Sequence, residues 1–163
     1  MHTSFSFRAA CKKDLSTILR LYAQPDLDDG IALSLPEAER IFNRMARYPD
    51  YKVYVALCED CIVGTLALLI MDNLGHLGAP SAVIEDVAVD PRWQDRGVGN
   101  RMMRAALEIA IEKGCYKIVL SSNLKRERAH AFYESLGFER HGYSFRLNVP
   151  HPEAEDSGRE GLR

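Results

Sequence analysis

Apolar and polar positions alternate through residues 4–10 ("SFSFRAA"), which predicts a short strand. The period then lengthens. Leu15, Ile18, Leu19 and Tyr22 recur at helical spacing in "KKDLSTILRLYAQ", with Asp14 as a candidate cap. A polar bridge, "PDLDDGIALS", leads to "LPEAERIFNRMARY", where Pro36 and two glutamates mark a helix start. The stretches "YKVYVAL" and "IVGTLALLI" form a predicted hairpin with Glu59-Asp60 at its tip, and after the glycine-rich "MDNLGHLGAPS" comes a further strand, "AVIEDVAV". A helix over 99–113 stops at Gly114, "YKIVLSS" is the next strand, and "KRERAHAFYESL" is a helix closed by Gly137. The pattern returns to alternation in "YSFRLNV", a predicted closing strand, and then loses its apolar content in "PHPEAEDSGREGLR". The resulting order, β-α-α-β-β-β-α-β-α-β, is an α/β (α+β) arrangement with helices flanking a mixed, mostly antiparallel sheet. It predicts one domain over 1–149 and a loose polar tail over 150–163.

Composition narrows the class without naming it. The chain has 163 residues, 47% hydrophobic and 27% charged, with a net charge of −2. This suits a single soluble domain with no general affinity for nucleic acid or an anionic membrane. The longest apolar run, Ile62 to Met71, is strand length, far short of the roughly 20 residues that span a bilayer. The N-terminus lacks the basic and apolar segments of a signal peptide, so a cytoplasmic location is expected. Cys58 and Cys61 make a C-x-x-C at the hairpin ends, where a helix dipole is absent and no second pair of ligands follows. These cysteines read as small hydrophobes, and no metal is expected.

The segment "VDPRWQDRGVGN" asks for more than a connection, because Asp90-Pro91 alone would turn the chain. Glycines at 97 and 99 let successive N–H groups curl to one side, and the helix that follows adds unsatisfied N–H groups and a partial positive charge. Together they suit a pyrophosphate. A Walker loop would end in Gly-Lys-Ser/Thr, whereas Gly99 is followed by Asn-Arg-Met. A Rossmann fingerprint would need a third glycine near Met102.

Gln94-Asp95-Arg96-Gly97-Val98-Gly99 resembles the Q/R-x-x-G-x-G/A motif of the GNAT superfamily of acyl-CoA-dependent N-acetyltransferases. The likeness extends upstream through "EDVAVDP" and downstream through "AHAFYESLGF", and the element order matches that family's fold along residues 4–149. By this resemblance acetyl-CoA is the cosubstrate. The backbone N–H groups of Arg96, Gly97, Val98, Gly99 and Asn100 would hold its pyrophosphate, beside Gln94 and Asp95. The strand backbone at Val87, Ala88 and Val89 would pair with its pantetheine arm.

Acetyl transfer to an amine requires a base, because an alkylamine with a pKa near about 10 is charged at neutral pH. It also needs a donor to the oxyanion and a proton or hydrogen bond for the thiolate. Glu85 is the first candidate base and Asp86 the second. Strand alternation places these acids on opposite faces, burial would raise their pKa values, and a water chain ending at either would also serve. Tyr133 is the candidate proton donor, beside a helix face formed by Ala129, Phe132 and Leu136. Asn123 is placed to bind pantetheine or to cap the next helix. Arg126, in the run Lys125-Arg126-Glu127-Arg128, is placed to meet the 3′-phosphate or an anionic acceptor. His76 and His130 read as solvated side chains, and Trp93 as a cover for apolar surface beside the turn.

Within the superfamily, the region from Ser121 to Leu147 looks most like small bacterial enzymes related to aminoalkylphosphonate N-acetyltransferase, and "VIEDVAV" is similar to a strand of glucosamine-6-phosphate N-acetyltransferases. The expected acceptor is therefore a small-molecule primary amine. A protein acceptor and a non-catalytic acyl-CoA sensor are the rival classes. Many relatives are homodimers, for which "YSFRLNV" is a candidate contact.

Overall fold

The computed structural model describes residues 4–25, 27–28 and 30–147, and the predicted tail over 150–163 lies outside them. Two compact units divide the chain, Met1–Arg126 and Glu127–Arg163. The first holds a five-stranded sheet in simple sequence order: β1 (Phe5–Ala9), β2 (Tyr51–Cys58), β3 (Cys61–Met71), β4 (Ser81–Val89) and β5 (Lys117–Leu120). The first four strands are antiparallel to their neighbours, and β5 joins β4 in parallel. Three helices accompany it: α1 (Leu15–Tyr22), α2 (Leu35–Met45) and α3 (Val98–Glu112). The second unit contains α4 (Glu127–Ser135). Among the described residues no helix is long and apolar enough to cross a membrane.

Local chemistry sets these elements. Glu59 and Asp60 both take positive φ (50° and 64°), the turn geometry that lets a two-residue loop follow the twist of the β2–β3 hairpin. Pro36 stands in the first turn of α2 after an extended Ser34, where its missing N–H costs nothing. Asp14 does not cap α1 with its side chain. Its carboxylate turns back to accept from the Cys11 N–H (2.8 Å) and from both terminal nitrogens of Arg8 (2.7 and 3.0 Å). Those partners outweigh the effect of burial and hold its pKa at about 2.

Leu15, Ile18, Val53, Val55 and Ala67 form the core between the sheet and α1, with Phe42 and Met45 of α2 packed against them. On α3, Val98, Met102, Met103, Ala106 and Ala110 are buried. Gly64 of β3 allows that helix a close approach: a Cβ there would stand 2.6 Å from the Met102 sulfur and 3.1 Å from the Ala88 carbonyl oxygen. This contact fixes where α3 begins relative to β4.

The predicted closing strand is the main departure. Residues 143–147 join no sheet ladder, and Tyr143, Phe145 and Leu147 are at least 90% exposed. Alternation supplies a strand with one apolar face, but a ladder also needs partner backbone, which no periodicity encodes. Residues 148–149 lie outside the described residues.

Candidate active site

Strand β4 is paired along its whole length on one side only. Against β3 it runs from Ser81 to Val89, but against β5 the ladder covers only Ser81–Ile84, opposite Lys117–Leu120. Beyond Ile84 the strands part, and the β5-facing backbone of residues 85–89 is left outside the ladder. Val87 and Val89 are half-buried and Ala88 is buried. An edge of this kind is suited to an extended ligand carrying amide groups.

The same stretch carries the two acids, and it breaks the expected alternation. Thr65 faces Ala88 and Ala67 faces Glu85, so Asp86 and Val87 together oppose the single residue Leu66. Asp86 takes φ of 53°, which completes a β-bulge. Opposite faces were expected for Glu85 and Asp86; at the bulge Asp86 and Val87 share one pairing position, so the alternation is interrupted there. Both acids act on the Tyr51 phenol, Asp86 also acts on Tyr22 of α1, and Asp86 acts on Glu85. Desolvation raises the pKa of each acid above the ordinary carboxylate range, with the Asp86 charge adding to the shift of Glu85 and the Asp28 charge to that of Asp86. Both side chains still reach solvent. Tyr22 and Tyr51 are pushed up as well, first by burial and then by the Asp86 charge, so their hydroxyls stay protonated and able to donate.

The turn after β4 is held by local bonds and two left-handed residues. Asp90 accepts the Arg92 N–H at 2.9 Å, which tightens the first bend, and Gln94 Nε2 donates to the Val89 carbonyl at 3.2 Å. Asp95 and Gly97 both adopt left-handed φ (57° and 76°) on either side of Arg96, and alternation of this sort converges successive N–H groups. Helix α3 starts at Val98, and its first helical bond to Gly97 comes from Arg101. The N–H groups of Val98, Gly99 and Asn100 therefore have no carbonyl within the helix to bind. A Cβ placed on Gly97 would meet nothing within 4 Å, so the turn is open at that point.

Asn123 follows β5 and uses its side-chain oxygen to accept the Lys125 N–H at 3.0 Å, while its carbonyl accepts from Arg126 at 2.9 Å. These bonds tighten the turn that follows β5. Ser122, beside it, has a buried hydroxyl oxygen without a hydrogen-bond partner among the described residues. Nothing in the sequence separates Ser122 from Ser121, so only the fold reveals it. Tyr133 lies on α4 in the second unit, its ring 5.2 Å from Phe132 and 5.9 Å from Phe138. His76 is stacked on Tyr116 with ring centroids 4.1 Å apart. Cys58 is buried and Cys61 exposed, directly opposite one another at the hairpin end.

A cavity of about 560 Å³ lies between α2 and the sheet, lined by Ile41, Arg44, Met45, Tyr48, Tyr51 and Leu69. Tyr51 ties it to the acids, since both carboxylates act on that phenol. It has aromatic and apolar walls and a single cation.

Known proteins bear on this arrangement. Residues 15–138 match the family model described as the acetyltransferase (GNAT) family. The chain is 39% identical over 139 residues to a glucosamine 6-phosphate N-acetyltransferase of Trypanosoma brucei brucei, covering 85% of this chain and 91% of that one. It is 29% identical over 127 residues to an aminoglycoside N(6′)-acetyltransferase of Stenotrophomonas maltophilia, covering 74% and 76%. A solved structure from Agrobacterium tumefaciens str. C58 superposes with a TM-score of 0.82 at 34% identity, covering 88% of this chain and 99% of that one. With the splayed strand and the amide turn in place, the chain belongs to the GNAT family of acetyltransferases and is an acetyl-CoA-dependent N-acetyltransferase.

Proposed function

We propose that the protein moves an acetyl group from acetyl-CoA to the primary amine of a small molecule by direct attack within a ternary complex. The observation that carries this is the joint layout of β4: an edge free for an extended arm, two acids at its bulge, and an amide turn at its end. The family match at 15–138 runs across both units and supports 1–149 as one transferase domain.

The residues present fit the cosubstrate. The cradle at Gly97 opens outward, and the unpartnered Ser122 hydroxyl lies just past β5, where a pantetheine amide would give it a partner. When bound, acetyl-CoA supplies an activated thioester. The amides of Arg96 to Asn100 take the pyrophosphate, with Gln94 and Asp95 shaping the turn. The backbone of Val87 and Val89 aligns the arm, and an N–H of Val87–Val89 stabilises the charge that develops on the acetyl oxygen. Glu85 accepts the amine proton, directly or through water, with Asp86 as the alternative base; a raised pKa brings either closer to neutral pH, where proton acceptance is most effective. Tyr133 gives a proton to the departing sulfur, and its phenol is acid enough for a thiolate whose conjugate acid lies near about 8.5. Asn123 and Arg126 complete the binding groups on the β5 side.

The acceptor is placed in the α2 cavity. Tyr48 and Tyr51 meet edge to face with centroids 6.0 Å apart, offering ring surface to the C–H face of a sugar, and Arg44 suits an anionic substituent. The related enzymes named for glucosamine 6-phosphate and for aminoglycosides both act on amino sugars, which supports this class. Thiol release from acetyl-CoA, measured against glucosamine, glucosamine 6-phosphate, an aminoglycoside, an aminoalkylphosphonate and a lysine peptide, tests it. Release with small amines is expected; release with the peptide alone contradicts it.

A further inference from the structure

A cavity of about 550 Å³ lies between α1 and the turn after β4, within the size range of small-molecule sites. One wall is the start of β3, residues 61–63. In the sheet, β3 is the neighbour of β4 on the side away from β5. The edge that carries the thioester in the proposed function faces β5, so the cavity and that edge lie on opposite sides of β4. The turn is common to both.

Charge marks the cavity. Arg20 of α1 and Arg92 and Arg96 of the turn supply three guanidinium groups against the two carboxylates of Asp60 and Asp90. Asp90 is engaged by Arg92 through two hydrogen bonds, at 2.8 and 3.1 Å. Arg96 is held over the Trp93 ring at 5.5 Å. Both turn cations are therefore placed before a ligand arrives. With Asp90 matched to Arg92, Arg20 and Arg96 set two charges against the exposed carboxylate of Asp60.

We propose that this cavity is a binding site for a phosphate monoester, separate from both the coenzyme and the acceptor. A phosphate dianion balances two guanidinium groups, each of which can donate two parallel hydrogen bonds to its oxygens. The room beyond the phosphate, walled by Ile62 and Val63 and bordered by Thr17, takes the organic part of the ester. The acceptor cavity is a different place, lined by α2 and carrying Arg44. Occupancy acts on the cosubstrate through Arg96, which borders the cavity and carries an amide of the turn, between Asp95 (φ 57°) and Gly97 (φ 76°). A ligand that fixes this side chain removes freedom that acetyl-CoA would otherwise have to remove, so the ester tightens acetyl-CoA binding. The coupling rests on the pyrophosphate role given to the turn; the ester site does not.

Calorimetric titration with glucose 6-phosphate, inorganic phosphate and glucose, without coenzyme, tests the site in wild type, Arg20→Gln, Arg20→Lys and Arg44→Gln. Wild type is expected to bind the ester, to bind inorganic phosphate more weakly, and to ignore glucose. Arg20→Gln should weaken ester binding by roughly tenfold or more and Arg20→Lys by less, while Arg44→Gln binds it as wild type does. No ester binding in wild type, equal affinity in Arg20→Gln, or a loss that follows Arg44 overturns the site, and free phosphate binding as tightly as the ester overturns the choice of ligand. Titration of CoA at saturating ester then reads the coupling. A several-fold gain in CoA affinity is expected, absent in Arg20→Gln, whose affinity for CoA alone stays at the wild-type value. An unchanged CoA affinity overturns the coupling, and competition between ester and CoA overturns the separate site. A wild type that binds the ester but no CoA supports the site and removes the pyrophosphate role of the turn.

Discussion

Replacing Gly97 by valine is expected to weaken acetyl-CoA binding by roughly a hundredfold or more, the worth of one or two hydrogen bonds to a charged group. Gly97 holds φ of 76° between Arg96 and the first turn of α3. A β-branched residue resists that conformation by about 1–2 kcal/mol, so the turn relaxes and its amides lose convergence. The added side chain meets no protein atom within 4 Å at its Cβ and projects into open space in front of the cradle. The melting temperature should fall only by the backbone strain, while affinity falls far more. Titration calorimetry with a parallel melting curve separates the two. An affinity within threefold of wild type would mean that the turn is a connection and nothing else.

Glu85→Gln is expected to lower kcat/KM by about a hundredfold to a thousandfold at neutral pH, within the range for loss of a general base. The pH dependence carries the sign. A base acts deprotonated, so wild-type activity rises as pH passes the Glu85 pKa, which desolvation and the Asp86 charge place above the ordinary carboxylate range. In Glu85→Gln that limb should disappear. Stability moves the other way. A carboxyl whose folded pKa is raised favours the fold below its unfolded pKa and loses that contribution as pH climbs through the folded value. The amide should therefore hold or raise the melting temperature at neutral pH, a result that a damaged fold would not give. If Asp86→Asn reproduces the activity loss and Glu85→Gln does not, the base is Asp86. In Tyr133→Phe the acid-side limb should remain while kcat falls, because proton donation to sulfur is separate from amine deprotonation.

Periodicity placed β1 to β5 and all four helices, because each buries a face whose spacing is written in the residue types. Leu15 and Ile18 of α1 meet Val53, Val55 and Ala67 of the sheet as a 3.6-residue stripe meets an alternating one. The position of the turn was legible too, since Asp90-Pro91 and Gly97 mark the break between β4 and α3. The orientation of the acids was not. Alternation alone separates Glu85 from Asp86, and only the ladder shows that it is interrupted between them and Ala88, where Asp86 and Val87 share the position opposite Leu66. Bulges arise from ladder geometry between strands, and no single-strand pattern contains them. The parting of β4 from β5, the orphaned hydroxyl of Ser122 and the approach of Arg20 to the turn are likewise properties of pairs of elements. Residues 143–147 show the converse: a clear alternation that meets no ladder.

Amide-resolved NMR during titration with coenzyme A addresses the central claim, that the edge of β4 and the turn beyond it hold the cosubstrate. The largest shifts are expected at Arg96 to Asn100, with a second group at Val87 and Val89. Saturable binding that leaves those amides unmoved, or no binding at all, would contradict it.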